Sequence, residues 1–346
     1  MKHILNGLLI AAFALAVVGC GADDAEPDEV VLMTHGSFAV SEGVLEAFTD
    51  QTGITVSVLQ SADAGAMVSQ AILTKDNPVA DVLYGIDNTF LSRAVDENLF
   101  IPHSAAAIET VPRGLRVEGD VVTPIDFGDV CLNLDPSGLA ALGVETPDRL
   151  IDLADAAYDG TLVVEDPTTS SPGLAFLLAT IVTFGEDGAY PWQAYWQDLV
   201  ANDVRIVPGW DQAYYGEFSG GSGEGDRPIV VSYATSPVAE VYFGDLDAAP
   251  TTIVEDGCFR QVEYAGILNG TEAEEAAGQL VDFLLERTFQ EDMPLNMFVF
   301  PANADTPLPD VFVEFAVIPT DSRVMEPAWI DENRERWLAE WATVVR

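Results

Sequence analysis

Basic side chains are scarce in this 346-residue chain, with 14 Lys+Arg against 57 Asp+Glu and a formal net charge of -43. That balance excludes a nucleic-acid partner, whose phosphates need a basic surface, and broad adsorption to anionic lipid. An acidic surface steers cationic solutes; acids spread along the whole chain also fit adaptation to salt or a need for solubility. Histidine is scarcer still. Only His3, His35 and His103 occur, so a Ser-His-Asp triad has to draw on His35 or His103. His-Glu-x-x-His and Cys-x-x-Cys metal spacings are missing. The Gly-x-Ser-x-Gly elbow is missing too, and Gly220-Gly221-Ser222-Gly223 reads as a turn. Three cysteines complete the short inventory: Cys20, Cys131 and Cys258.

What is present begins at the N-terminus. Lys2 is followed by a nearly unbroken apolar run at 4–18 and then Gly19-Cys20. The run is short for a membrane span of about 20 residues. A basic start, an apolar stretch and a small-residue cut site make a secretory signal. The cysteine directly after the small residue makes it resemble a bacterial lipoprotein signal. By that resemblance the leader at 1–19 is removed, His3 with it. Cys20 is then lipidated, and the protein works outside the cytoplasmic membrane, in the periplasm or at the cell surface. The acidic, aromatic-free stretch at 20–28 reads as a flexible tether. Cys131 and Cys258 are then an even pair in an oxidising compartment, suited to a disulfide or to two buried free thiols.

From residue 30 the pattern alternates. Strands are expected at 30–34, 54–59 and 80–86, helices at 41–52 and 64–74, and Asp87 or Asn88 caps the next helix. An extended stretch follows at 121–134. A second alternating unit places strands at 161–165, 204–207 and 229–233 and helices at 172–184 and after Ser236-Pro237. The chain is extended again at 257–268, then helical at 273–287 and 328–345. The expected fold is α/β and two-lobed, each lobe a mixed sheet flanked by helices. Lobe 1 is 29–125 plus 262–346, lobe 2 is 126–261, and two extended crossings join them.

Three loops of the second unit follow strand ends, where ligands of α/β sheets bind. Ser171 reads as an N-cap ahead of Pro172, and the free N–H groups there suit an anion or a hydroxyl; a plain capped helix is the other reading. Ser236-Pro237 repeats the device. Gly209-Trp210-Asp211-Gln212-Ala213-Tyr214-Tyr215 places aromatics where a solvent-facing loop is polar. Aromatic walls with a few polar groups suit a flat or cationic small molecule.

Thr34-His35-Gly36-Ser37-Phe38, the segment 80–88, the segment 166–174, Gly209-Trp210 with Ala213-Tyr214, the segment 232–237 and the segment 296–303 together resemble the periplasmic thiamine-binding proteins of ABC importers. These belong to the wider type II solute-binding superfamily. The resemblance implies a monomer whose lobes close on a solute and deliver it to permease subunits in the membrane. It implies no cofactor, no metal and no catalysis, with thiamine or a phosphate of it as ligand. It assigns Asp63 to the cationic or aminopyrimidine end, Trp210 and Tyr233 to the ring faces and Ser170 to the hydroxyethyl or phosphate end. It adds His35, Ser171, Tyr214 and Phe298 around the ligand. His35 stands where relatives have tyrosine, Phe298 where they have tryptophan and Ala239 where they have tyrosine. It also implies a hinge disulfide, because Cys131 lies on the first crossing and Cys258 just before the second. Two other readings compete. Tyr214-Tyr215 resembles the adjacent tyrosines of ferric iron binders with this fold, and Asp63 with Asp211 offers the paired carboxylates of an extracytoplasmic hydrolase.

Overall fold

Apolar runs at the start of the described chain, residues 29–346 of a computed structural model, form a three-stranded parallel sheet. The leader at 1–19, Cys20 and the tether at 20–28 lie outside the described residues. Strand β1 (Glu29–Thr34) pairs with β2 (Thr55–Gln60) on one side and β3 (Val82–Asp87) on the other. Helices α1 (Val44–Thr52) and α2 (Ala64–Leu73) make the crossovers. The first of them ends at Gly53, whose φ of 80° is the left-handed cap that glycine adopts freely. Helix α3 (Leu91–Asp96) and the short strand β4 (Phe100–Ile101) complete this part. Sequence placed a cap at Asp87 or Asn88. Phe90 is the N-cap instead, and Asp87 Oδ1 acts one turn earlier, accepting from Thr89 N at 3.0 Å and Thr89 Oγ1 at 2.7 Å.

Strand β5 (Thr123–Leu134) carries the chain into the second lobe. There α4 (Pro136–Leu142), β6 (Leu162–Glu165), α5 (Ser171–Phe184), α6 (Trp192–Ala201), β7 (Arg205–Val207), β8 (Ile229–Tyr233) and α7 (Ser236–Gly244) follow. Helix α5 is apolar nearly all round and is buried nearly all round, as expected of a helix packed on several sides. Strand β9 (Thr252–Leu268) returns to the first lobe. Then come α8 (Glu274–Leu284), α9 (Arg287–Asn296), β10 (Phe300–Pro301), α10 (Asp310–Phe315) and α11 (Pro327–Val345). The single helix expected at 273–287 is thus α8 and the start of α9.

The long crossings make one continuous path of strands, β2-β1-β3-β9-β5-β8-β6-β7. Strands β5 and β9 pair antiparallel from Thr123↔Ala265 to Leu134↔Thr252, with register shifts between Pro124 and Asp126 and between Val130 and Leu132. The second shift brackets Cys131, which is bonded to Cys258. The disulfide therefore ties the two hinge strands at the point where their ladder is interrupted. Helix α11, grouped from sequence with lobe 1, packs on both lobes. Trp341 meets Trp196 of α6 edge-on at 5.6 Å, and Arg334 lies 5.7 Å over Phe90 beside α3. Among the described residues no helix is long and apolar enough to cross a membrane.

Closing a loop with a sequence separation of 127 residues restricts the unfolded chain strongly. Replacing both Cys131 and Cys258 by serine is expected to cost about 2–4 kcal/mol. The check is a thermal or urea melt, with the oxidised wild type unfolding later than both the double variant and the reduced wild type.

Candidate functional site

The carboxyl ends of five parallel strands converge on the gap between the lobes. Strand β1 delivers His35, β2 leads to Asp63, β6 to Ser170 and Ser171, β7 to Trp210, and β8 ends at Tyr233. They surround a cavity of about 250 Å³. His35, Asp63, Ser171, Trp210, Tyr214, Tyr233 and Phe298 all line it. Ser170 does not: it is the N-cap residue of α5, wholly buried, and its hydroxyl makes no capping bond. The sequence reading named Ser171 as that cap. The structure shifts it by one residue, so Ser171 begins the helix and reaches the cavity.

The aromatic wall is held from behind. Trp210 and Tyr214 stack with ring centroids 5.1 Å apart and planes 16° apart, while Tyr215 meets Trp210 edge-on at 5.4 Å. Trp210 Nε1 donates to Ser232 Oγ at 2.8 Å. The Tyr214 hydroxyl donates to Glu240 Oε1 at 2.8 Å, and burial together with that carboxylate pushes Tyr214 ionisation far up. Tyr233 takes a hydrogen bond from Gln261 Nε2 at 3.0 Å. Phe298 adopts a left-handed φ of 52°, a costly conformation for a bulky residue. The Thr235 hydroxyl, from the other lobe, donates to the Phe298 carbonyl, and Phe243 packs on the Phe298 ring at 5.3 Å.

Asp63 joins the lobes. As N-cap of α2 its Oδ1 accepts the Ala64 N–H at 2.7 Å, and its Oδ2 accepts the Trp210 N–H, across the cleft, at 2.9 Å. Burial pushes this carboxyl up from its ordinary range, and the two N–H donors oppose that. Ser37 Oγ donates to Asp211 Oδ1 at 3.1 Å, a second bond between the lobes. The carboxylates of the hydrolase reading are thus both engaged in lobe contacts.

Behind His35 lies a buried acidic floor. Gly85, at φ 98°, makes room for the imidazole: a Cβ there would stand 2.2 Å from His35 Cδ2. His35 Nε2 is 3.6 Å from Glu263 Oε2. Burial alone would lower the His35 pKa, but Glu263, with Asp63 and Asp211, outweighs it and raises the pKa above the ordinary 6.5. Glu263 Oε1 accepts from Gln261 Nε2 at 3.0 Å. Its neighbour Asp126 accepts from the Tyr84 hydroxyl at 2.6 Å, and burial, then Glu263, drive the Asp126 carboxyl well above its ordinary range.

Sequence reasoning missed Glu240, Phe243, Gln261 and Glu263. The last two carried a signal: polar residues two apart on the second crossing strand share one face of it. Glu240 carried none, because its partners Tyr214 and Ser222 meet it only through the fold.

Two outcomes follow from this geometry. In Asp63→Asn the helix cap survives, since Asn caps about as well as Asp. The charged bond to Trp210 is lost, a loss of roughly 1.5–3 kcal/mol from lobe closure, so solution scattering should show a larger radius of gyration than wild type. For His35 the folded pKa is raised, so its contribution to stability is full below about 6.5 and is lost as pH rises through the folded value. The wild type should accordingly lose more thermal stability than His35→Gln across that window; parallel pH profiles would place the histidine outside the network.

Comparisons with known proteins agree with this geometry. The family model for a bacterial extracellular solute-binding protein matches residues 77–316, more than half the chain. A thiamine-binding periplasmic protein of Salmonella typhimurium is 27% identical over 332 residues, covering 94% of this chain and 96% of that one. The solved structure of a periplasmic thiamin binding protein superposes with a TM-score of 0.82 at 26% identity, covering 92% and 96%. Iron-bound HitA from Pseudomonas aeruginosa, at 19% identity and a TM-score of 0.70 over 92% of this chain and 99% of that one, shares the fold. Two lobes on a pair of hinge strands, a cavity between them and a match spanning both lobes make this chain a member of the bacterial extracellular solute-binding protein family.

Proposed function

We propose that this protein is the substrate-binding component of an ABC importer and captures thiamine between its lobes for delivery to a permease. The observation that carries the reading is the cavity wall itself. Electron-rich Trp210 and Tyr233 face it together with carboxylates, in a chain similar along nearly its whole length to thiamine-binding proteins. Thiamine's thiazolium is a permanent cation. Aromatic faces attract it through the ring quadrupole and carboxylates through charge. Asp63 serves mainly by closing the lobes over the ligand, so its effect on affinity runs through the population of the closed form. His35, Ala239 and Phe298 give this cleft a smaller aromatic wall than the resemblance implies, which lowers affinity without changing ligand class.

Lipidation of Cys20 belongs to the same reading and would hold the domain beside the membrane that carries the permease. The ferric iron reading is weaker here. The Tyr214 hydroxyl is already engaged, donating to Glu240 Oε1 at 2.8 Å. Tyr215 also lines the cavity, edge-on to both Trp210 and Tyr214.

Calorimetric titration of the domain from residue 29 onward with thiamine tests the proposal. The expected result is submicromolar, one-to-one binding with quenching of Trp210 fluorescence. Trp210→Ala should weaken binding about tenfold or more, the loss of one desolvated cation–π contact. No heat and no quenching with thiamine would overturn the assignment.

A further inference from the structure

On one side of the cleft the two lobes touch backbone to backbone. Gly65, in the first turn of α2 in lobe 1, is buried. A Cβ on it would stand 2.9 Å from both the carbonyl carbon and the carbonyl oxygen of Thr169, in lobe 2. Beside it the Ala66 N–H donates across the seam to the same Thr169 carbonyl at 3.3 Å. Gly209, in lobe 2, faces the other way. A Cβ there would lie 2.8 Å from Asp63 Oδ2 and 3.2 Å from the Asp63 Cβ. Each lobe therefore presents a glycine to a fixed group of the other.

Backbone conformation explains neither glycine. Neither has a left-handed φ, so no turn demands glycine there, and within α2 alanine is the better helix former. Thr169 has little room to yield. Its N–H donates to the Asp166 carbonyl at 3.1 Å, and its Oγ1 donates to the Pro208 carbonyl at 2.7 Å. The loop ahead of α5 and the loop ahead of Trp210 are thus tied into one seat. The start of α2 rests on both parts of it, Gly65 against Thr169 and Asp63 against Gly209 and Trp210.

We propose that this seam is the stop that sets how far the lobes close, and that Gly65 and Gly209 are positioning residues for solute capture: a methyl group at either position props the cleft open. Protein interiors are packed too densely to absorb a carbon atom 2.9 Å from backbone. Rotation at the hinge takes up the overlap instead. The cavity of about 250 Å³ then widens, and the bonds from Trp210 to Asp63 and from Ser37 to Asp211 lengthen. Affinity falls because the closed, binding-competent form is less populated. The stop needs no particular solute, and only the affinity arm of its test rests on the thiamine reading. One neighbour of Gly65 lies within lobe 1: the tip of the Phe90 ring, 2.7 Å from the same Cβ position.

The test compares wild type with Gly65→Ala, Gly209→Ala and the double variant Gly65→Ala/Phe90→Leu, all from residue 29 onward. Solution scattering is read without ligand and with saturating thiamine, calorimetry with thiamine, and a thermal melt confirms folding. Both single variants should melt cooperatively, show a larger radius of gyration than wild type and bind thiamine about tenfold or more weakly, as a tenfold smaller closed fraction requires. The double variant relieves the ring contact and leaves Thr169 in place, so it should stay expanded. A double variant as compact as wild type would assign the effect to packing inside lobe 1 and overturn the proposal. Single variants with the radius of wild type in both conditions would overturn it too. Should Gly65→Ala fail to fold, Gly209→Ala decides alone, because the three atoms nearest its Cβ all belong to Asp63. A wild type that binds no thiamine would overturn the thiamine reading, and the radii without ligand would still decide the seam.

Discussion

The antiparallel pairing of β5 with β9 is the constraint on which the rest of this structure depends. Each strand belongs to both lobes, so the parallel sheets on either side are extensions of one ladder. Any twist at the hinge is a twist of that ladder. The interruption at Cys131, closed by the bond to Cys258, is where hydrogen bonding is replaced by a covalent tie. Such a tie resists sliding of one strand past the other while leaving rotation about the pair available, which is the motion a two-lobed binder uses. The same strands carry the floor of the cleft. Asp126 comes from β5 and Gln261 and Glu263 from β9, so the hinge and the buried charge are one set of residues.

Burying carboxyl groups in an acidic protein is costly unless each is paired or neutralised. The floor meets this cost in several ways. Tyr84 donates to Asp126, whose carboxyl is driven toward its neutral form, and Gln261 donates to Glu263, beside which His35 stands. Asp87, pushed up to about 6 chiefly by burial, binds the turn ahead of α3. Above this floor Trp210 and Tyr233 line the cleft. Closure then adds the bonds in which Trp210 donates to Asp63, Ser37 to Asp211 and Thr235 to Phe298. Ligand and lobe contacts therefore favour the same closed state, as a capture mechanism requires.

Much of this was legible in the chain. Period-two and period-3.6 patterns marked the alternating strands and helices, and the two long extended stretches at 121–134 and 257–268 marked the crossings. Loops after strand ends located Trp210, Tyr233 and the serines near the cleft. Partnerships across the fold were illegible. The resemblance makes Asp63 a ligand carboxylate, but one of its oxygens caps α2 and the other is taken by a residue 147 positions away. Glu165 reads as the end of an ordinary strand until α5 covers it. Helix α11 reads as a helix of lobe 1, and only packing shows Trp341 against Trp196 and Arg334 over Phe90. Local sequence sets propensity and spacing, whereas the charge a site presents depends on which acids the fold has already satisfied.

The most direct measurement is a crystal structure of the domain grown with thiamine. The account predicts the ligand between the lobes, its rings on Trp210 and Tyr233, with Asp63 still bonded to the Trp210 N–H. Thiamine lying outside the cleft, or inside it away from Trp210 and Tyr233, would contradict the account.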